Sequence, residues 1–151
     1  MRKITIYTDG GARNNPGPSG AGIVITDEKK GVLKKIALPL GTQTNNWAEY
    51  EAVAHALQEL KKIIPKDERG ETEVEVRSDS ELIIKQLRGE YQIKEPTLFP
   101  QFIKVWNSKV ADFPRLSFTH IRREENTEAD ALSNEAMDEV ERKAKTLFTS
   151  K

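Results

Sequence analysis

Residues 3–11 read KITIYTDGG, in which β-branched and polar residues alternate up to Asp9 before a pair of glycines. Alternation with a period of two predicts a β-strand, and the glycines predict a turn directly after it. Asp9 is therefore expected at the carboxyl end of a strand, at the edge of the sheet rather than inside it. Three further acids stand at comparable junctions, namely Glu49, Asp79 and Asp130. Four carboxylates that converged from four elements would form a site for hard divalent cations.

The remaining pattern predicts an α/β domain. The glycine- and proline-rich segment 10–22 predicts a loop. Short connections after the first strand predict antiparallel hairpins, and later strand–helix units predict parallel strands. The predicted fold is a mixed five-stranded sheet, with three antiparallel hairpin strands followed by two parallel strands and helices on both faces. The further predicted strands are 22–26, 32–40, 72–77 and 116–121, and the predicted helices are 46–64, 80–87, 99–110 and 127–145.

Length and composition indicate one ordinary domain over residues 1–151. Lysine plus arginine equals aspartate plus glutamate at 24 each, so the chain is not a global polycation. The absence of cysteine excludes disulfides and thiolate chemistry. The chain shows neither a signal-peptide pattern nor a membrane-length apolar run. We therefore expect a soluble, cytoplasmic monomer with no membrane association and no obligate protein partner. The sequence leaves open whether residues 145–151 pack on the body or form a loose tail.

Each acid also has a structural interpretation. Glu49 follows Asn46 at the spacing of a capping box, and Asp79 stands where an N-cap is common. Asp130 lies in the first turn of a helix, where an acid favours the helix dipole. Asp9 could hold the following turn through an Asx-type bond. Taken singly, capping is the better interpretation of the last three acids along the chain.

Taken together, the four acids favour a metal site. Ligand sites in open sheets form at the carboxyl ends of parallel strands, and Asp9 and Asp79 each end a predicted strand. Clustered carboxylates suppress one another's ionisation unless a counter-charge is present. A pair of Mg²⁺ or Mn²⁺ ions supplies that charge and accepts few carboxylates. The sequence therefore predicts a metal centre if the first and fourth strands are neighbours.

Four segments carry a family resemblance. Residues 8–22, TDGGARNNPGPSGAG, resemble the opening motif of type 1 ribonuclease H. Residues 44–49, TNNWAE, resemble the second motif of that family, residues 78–80, SDS, the third, and residues 126–130, NTEAD, the fourth. The four motifs occur in the family's order and span nearly the whole chain.

This resemblance implies an endoribonuclease that hydrolyses the RNA strand of RNA–DNA hybrids by a two-metal-ion mechanism. The expected products carry 5′-phosphate and 3′-hydroxyl ends, and the expected cofactors are two Mg²⁺ or Mn²⁺ ions. The implied metal ligands and catalytic residues are Asp9, Glu49, Asp79 and Asp130. The implied substrate-binding residues are Gly10, Gly11, Ala12, Asn15, Thr44, Asn45 and Asn46. Amides suit this role because, like the RNA 2′-hydroxyl, they both donate and accept.

The chain departs from the family at the loop before its last acid. Many members carry a histidine there, whereas residues 121–125 read IRREE. We assign Arg123 to the catalytic set, with Glu124 as the alternative and a solvated charge run as the structural interpretation. Arginine stays charged, so its expected role is electrostatic rather than proton transfer. The two histidines, His55 and His120, are predicted to be structural.

A second departure concerns the grip on the duplex. Some members insert a basic, tryptophan-rich protrusion, but residues 88–100 lack tryptophan and mix acids with bases. Trp106 is predicted to lie in the core, and Glu81 stands where relatives carry a glutamine. We therefore expect weak electrostatic binding of the duplex, with a modest dependence on salt concentration. Double-stranded RNA therefore remains an alternative substrate, and a non-catalytic nucleic-acid-binding module remains an alternative function.

Overall fold

The computed structural model describes residues 1–149 and confirms the predicted order of strands and helices. The strands are β1 Lys3–Ala12, β2 Gly17–Asp27, β3 Gly31–Gln43, β4 Glu73–Ser78 and β5 Leu116–His120. The helices are α1 Asn45–Ile63, α2 Glu81–Leu87, α3 Phe99–Ala111 and α4 Thr127–Thr149. Short 3-10 turns lie at Lys66–Glu71, Pro96–Leu98 and Arg123–Glu125.

The five strands form one mixed sheet in the order β3-β2-β1-β4-β5. The pairs β3–β2 and β2–β1 are antiparallel, whereas β1–β4 and β4–β5 are parallel, as the sequence predicts. Thr8 on β1 pairs with Ser78 on β4. Because these strands are neighbours and run in the same direction, the next residues, Asp9 and Asp79, leave the sheet side by side.

The helices pack on both faces of the sheet. On one face, apolar residues of β1, β2 and β4 form the main core with the inward sides of α1 and α3. On the other face, α4 lies over β2, where Ala129 and Ala136 approach two of its glycines. The fully buried core residues include Ile4, Ile6, Ile23, Ile25, Val53, Leu57, Leu60, Val76 and Phe113.

The segment 10–22 is not the loop that its composition predicts. β1 continues to Ala12 and β2 begins at Gly17, so only residues 13–16 form the turn. Small residues are retained in these strand ends because helices pack directly on them, as described below. The last helix also continues beyond its predicted end at residue 145 and includes Thr149, while Ser150 and Lys151 lie outside the described residues.

The prediction that Trp106 lies in the core is wrong. Trp106 is 55% exposed and stacks on Phe102, with 6.5 Å between the ring centroids. The side of α3 that is buried carries Gln101, Val105 and Ser108 instead. The periodicity of α3 correctly indicates a helix, but its larger apolar stripe faces outward. The exposed apolar residues of this stripe are Phe99, Ile103, Trp106 and Val110.

Two glycines allow helices to touch the sheet at backbone distance. A Cβ on Gly10 would lie 2.4 Å from the carbonyl carbon of Ala48 in α1. A Cβ on Gly22 would lie 1.9 Å from the carbonyl oxygen of Ala129 in α4. Real Cβ atoms do not approach backbone this closely, so neither helix could keep its place beside an alanine. These two contacts set the first turns of α1 and α4 against the strand ends.

We expect Gly10→Ala and Gly22→Ala each to lower the free energy of unfolding by at least about 3 kcal/mol, because backbone would have to move. Gly70→Ala is the matched control, since a Cβ at Gly70 meets nothing within 4 Å. The control should change stability by less than about 0.5 kcal/mol. Urea unfolding of the three variants tests this, and equal midpoints would contradict the packing role of Gly10 and Gly22.

Candidate metal centre and nucleic-acid interface

Hydroxyl side chains cap the N-termini of α1 and α2. The Thr44 hydroxyl accepts a hydrogen bond from Trp47 N at 3.2 Å, and the Ser80 hydroxyl accepts one from Ile83 N at 3.4 Å. The interpretations of Glu49 as part of a capping box and of Asp79 as an N-cap are therefore wrong. Each helix begins one or two residues away from the position those interpretations require. Both carboxylates are left for another role.

Three acids converge where β1 and β4 end. Asp9, Glu49 and Asp79 each offer a carboxylate oxygen, and these atoms lie within 4.8 Å of one another. Asp130, in the first turn of α4, lies close enough to Asp9 for its carboxyl to raise the pKa of that residue. The structure thus brings together acids from β1, α1, the β4–α2 junction and α4.

The clustered carboxylates perturb one another's ionisation. Burial, followed by the charges of Asp79 and Asp130, raises the pKa of Asp9 from 3.8 to about 8. Burial and the charges of Asp9 and Asp79 raise the pKa of Glu49 well above its ordinary value. Burial also raises the pKa of Asp79, although the charge of Arg123 and a hydrogen bond with Asn126 oppose the rise. The site is poised to accept positive charge.

The donor set fits a hard divalent cation. All the converging ligand atoms are carboxylate oxygens, which Mg²⁺ and Mn²⁺ prefer. Glu49 Oε2 is buried and has no hydrogen-bond partner among the described residues. An unpartnered buried carboxylate oxygen is costly in a protein interior, and a bound cation would satisfy it. Asp9, Glu49 and Asp79 are thus the residues that could hold a metal, with Asp130 beside them.

Asn126 supports the site but is absent from the predicted site residues. Its side chain is buried, and Nδ2 donates to the Thr8 carbonyl at 2.9 Å. It also hydrogen-bonds the carboxylate of Asp79. Asn126 therefore ties the start of α4 to the ends of β1 and β4. Its place in the segment NTEAD, four residues before Asp130, was the available signal.

The predicted substrate-binding residues lie at the adjoining edge. Asn45 Oδ1 accepts from Ala12 N at 2.6 Å, and Asn15 Oδ1 accepts from Asn45 N at 2.9 Å. Asn46 Nδ2 donates to Glu95 Oε1 at 3.2 Å. These bonds link the β1–β2 turn, the start of α1 and the loop before α3.

The remaining predicted substrate-binding residues play parts in packing and capping. Gly10 is buried against α1, whereas Gly11 is half-buried beside Met137 and Asn45. Thr44 caps α1 through its hydroxyl oxygen, so its hydroxyl hydrogen stays available. Apart from the buried Gly10, they lie between the β1–β2 turn and the start of α1.

Arg123 lies in an exposed 3-10 turn directly before α4. Its positive charge opposes the rise in the pKa of Asp79 that burial causes. Glu124 is exposed as well, and its carboxylate lies 3.8 Å from the Arg122 guanidinium. His55 lies on α1 within 3.6 Å of Glu59, and His120 ends β5 opposite Ser78.

Comparisons with known proteins agree with this fold. A family model described as reverse transcriptase-like matches residues 7–136. The bifunctional protein Rv2228c of Mycobacterium tuberculosis is 36% identical over 137 residues, which cover 90% of this chain and 36% of that protein. Ribonuclease HI of Halobacterium salinarum is 34% identical over 138 residues, which cover 91% of this chain and 66% of that protein. This chain thus spans about a third of the mycobacterial relative's length.

A solved structure of LC11-RNase H1, isolated from compost by a metagenomic approach, shows the same fold in complex with an RNA/DNA hybrid. It superposes with a TM-score of 0.84 at 51% identity, covering 90% of this chain and 97% of that chain. The matching family model and this superposition place the chain in the ribonuclease H-like fold class. Within that class, the chain belongs to the type 1 ribonuclease H family.

The described residues also bear on membrane association. Among residues 1–149, no helix combines the length and the hydrophobicity needed to traverse a bilayer.

The raised pKa of Asp9 predicts a pH-dependent stability in metal-free protein. Between pH 3.8 and about 8, the folded state holds a proton that the unfolded state has lost, so stability falls as pH rises. We expect Asp9→Asn to raise the Tm at pH 9 by at least roughly 5 °C, since it removes a charge whose burial and repulsion cost at least about 2 kcal/mol. At pH 5 the gain should be smaller.

Calorimetry with a chelator present measures this difference. Asp67→Asn, which changes an exposed acid of a 3-10 turn, is the control and should shift the Tm at neither pH. Addition of Mn²⁺ at pH 9 should stabilise the wild-type protein more than Asp9→Asn. A Tm gain for Asp9→Asn that is equal at both pH values would contradict the raised pKa.

Proposed function

We propose that this protein is a metal-dependent endoribonuclease that hydrolyses the RNA strand of RNA–DNA hybrids. The convergence of Asp9, Glu49 and Asp79 within 4.8 Å carries this proposal. Family membership and the hybrid bound to LC11-RNase H1 support it. Residues 1–151 are proposed to form a single catalytic domain. The cytoplasmic location and the monomeric state stay predictions from the sequence.

The proposed chemistry uses two divalent ions, Mg²⁺ or Mn²⁺, held by Asp9, Glu49, Asp79 and Asp130. When bound, such ions supply Lewis-acid charge for an in-line displacement at phosphorus. The residues themselves contribute placement. Asp9 and Asp79 leave adjacent strands, while Asn126 fixes Asp79 from the start of α4. Cleavage is proposed to leave 5′-phosphate and 3′-hydroxyl ends.

Two asparagines determine which hydrogen-bonding groups the proposed RNA-binding surface offers. Asn15 and Asn45 each use their side-chain oxygen to accept a backbone N–H. Both residues are exposed, and their NH₂ groups remain available as donors. The groups that such a surface recognises are acceptors, such as the 2′-oxygen of RNA and the N3 or O2 atoms of the minor groove. Gly11 and Ala12 supply backbone along the same surface.

Arg123 is proposed to act electrostatically rather than as a proton shuttle. Its charge already acts on Asp79 in the structure, and a guanidinium keeps that charge throughout the accessible pH range. A cation at this place can stabilise negative charge as it develops at the scissile phosphate. Arg123 would thereby partly fill the position at which many family members carry a loop histidine.

The central test is Asp79→Asn, which keeps the side-chain shape but removes one ligand charge. We expect it to fold normally and to lose at least about 100-fold in the rate of hybrid cleavage in Mg²⁺ or Mn²⁺. Asp67→Asn is the control and should cleave at the wild-type rate. A labelled hybrid with identified product ends, run beside double-stranded RNA and double-stranded DNA, measures the activity. Undiminished cleavage by Asp79→Asn would exclude the proposed site.

A second test concerns Arg123. We expect Arg123→Ala to lower kcat by roughly tenfold, because one preorganised charge is lost from the reacting region. Arg123→Lys should recover most of the rate, since it keeps the charge. Arg122→Ala is the matched control, because Arg122 is the adjacent exposed arginine and pairs with Glu124 and Glu125. Equal losses at Arg122 and Arg123 would point to general charge attraction instead.

A further inference from the structure

The β1–β2 turn, residues 13–16, is held from two sides. On the α1 side, Asn15 Oδ1 accepts from Asn45 N, and Asn45 Oδ1 accepts from Ala12 N at the end of β1. On the α4 side, Arg13 holds the turn. Arg13 N also donates to the Pro18 carbonyl at 2.9 Å, which closes the turn. Asn15, the predicted RNA contact, therefore lies two residues after Arg13, which binds a different helix, α4.

Arg13 makes an extended set of contacts with α4. Nη1 lies 2.8 Å from Asp138 Oδ1 and 3.1 Å from Glu141 Oε1. Nη2 donates to the carbonyl and to the side-chain oxygen of Asn134, at 3.4 and 3.3 Å. A planar guanidinium can satisfy several acceptors at once, whereas an ammonium cannot match the same fork. The side chain is thus committed to three residues on successive turns of one helix.

The local charge argues against a direct role in binding phosphate. One arginine faces two carboxylates, so the group as a whole carries a negative charge. A hybrid duplex would gain little from it as a cationic contact. The exposed positions of Asp138 and Glu141 also make the ion pairs a weak source of global stability. What the contacts do provide is a fixed position for the turn relative to α4.

We propose that Arg13 is a positioning residue for the RNA strand, acting by holding the β1–β2 turn so that Asn15 and Asn45 present their donors in one geometry. This inference rests on the proposed function. Arg13 touches neither the acidic cluster nor the proposed scissile phosphate. Its loss therefore weakens binding of the hybrid and leaves the chemical step unchanged.

The decisive experiment compares Arg13→Ala with the double variant Asp138→Ala/Glu141→Ala in steady-state cleavage of a labelled hybrid. We expect both to raise KM by about five- to tenfold with kcat unchanged, because both release the turn. Arg13→Lys should give an intermediate KM. Lys143→Ala, which removes an exposed ion pair with Glu139 on the same helix, is the control and should leave KM unchanged.

The outcomes separate the alternatives. If Arg13 contacted phosphate directly, the double variant would free its charge and lower KM, which would overturn the proposal. An unchanged KM for Arg13→Ala, or a fall in kcat without a rise in KM, would overturn it as well. Amide exchange at Arg13 and Asn45 should quicken in Arg13→Ala but not in Lys143→Ala. If the wild-type protein cleaved no hybrid, the proposed function would fail; if it did and Arg13→Ala kept its KM, only this inference would fail.

Discussion

The site depends on a backbone contact between β1 and α1. Asp9 lies opposite Gly22 in the β1–β2 register, so its side chain shares the face that α4 covers, whereas Glu49 arrives on α1 from the other face. The two carboxylates can meet only around Gly10, which has no side chain to separate the helix from the strand. The similar approach of α4 at Gly22 then sets the position of Asp130. The lack of a side chain at Gly10 and at Gly22 thus determines where the four carboxylates converge.

The cluster that results opposes the stability of the fold. Burial and mutual repulsion raise the pKa values of Asp9, Glu49 and Asp79, so the metal-free site holds protons that free carboxyls would have lost. Elsewhere the fold places its buried acids beside cations, as at Glu59 with Lys34 and Lys62. The contrast marks the cluster as a place where folding stability has been exchanged for function, since a bound cation reverses the sign of the interaction.

The sequence predicts the topology well because alternation and helical periodicity are strong signals, and it places the acids because they stand at element ends. It fails where composition and packing disagree. The segment 10–22 has the glycines of a loop, yet those glycines are strand residues under helices. The capping interpretations fail because Thr44 and Ser80, each close to the predicted cap, fit the helix start better. Trp106 is exposed because periodicity identifies a helical face without showing which face is covered. Asn126 was missed because its hydrogen bond to the Thr8 carbonyl joins residues 118 positions apart, which no local pattern shows.

The outward apolar stripe of α3 has a consequence for how the protein behaves at high concentration. Phe99, Ile103, Trp106 and Val110 present hydrophobic surface to solvent, and the chain carries equal numbers of acidic and basic residues. At neutral pH there is therefore little long-range electrostatic repulsion between two copies. The exposed apolar face of α3 is at the same time available for contact. Colloidal stability should be poorest near neutrality and should improve in alkaline buffer, where net negative charge builds up. The molecule thus combines a locally extreme electrostatic site with a globally neutral surface.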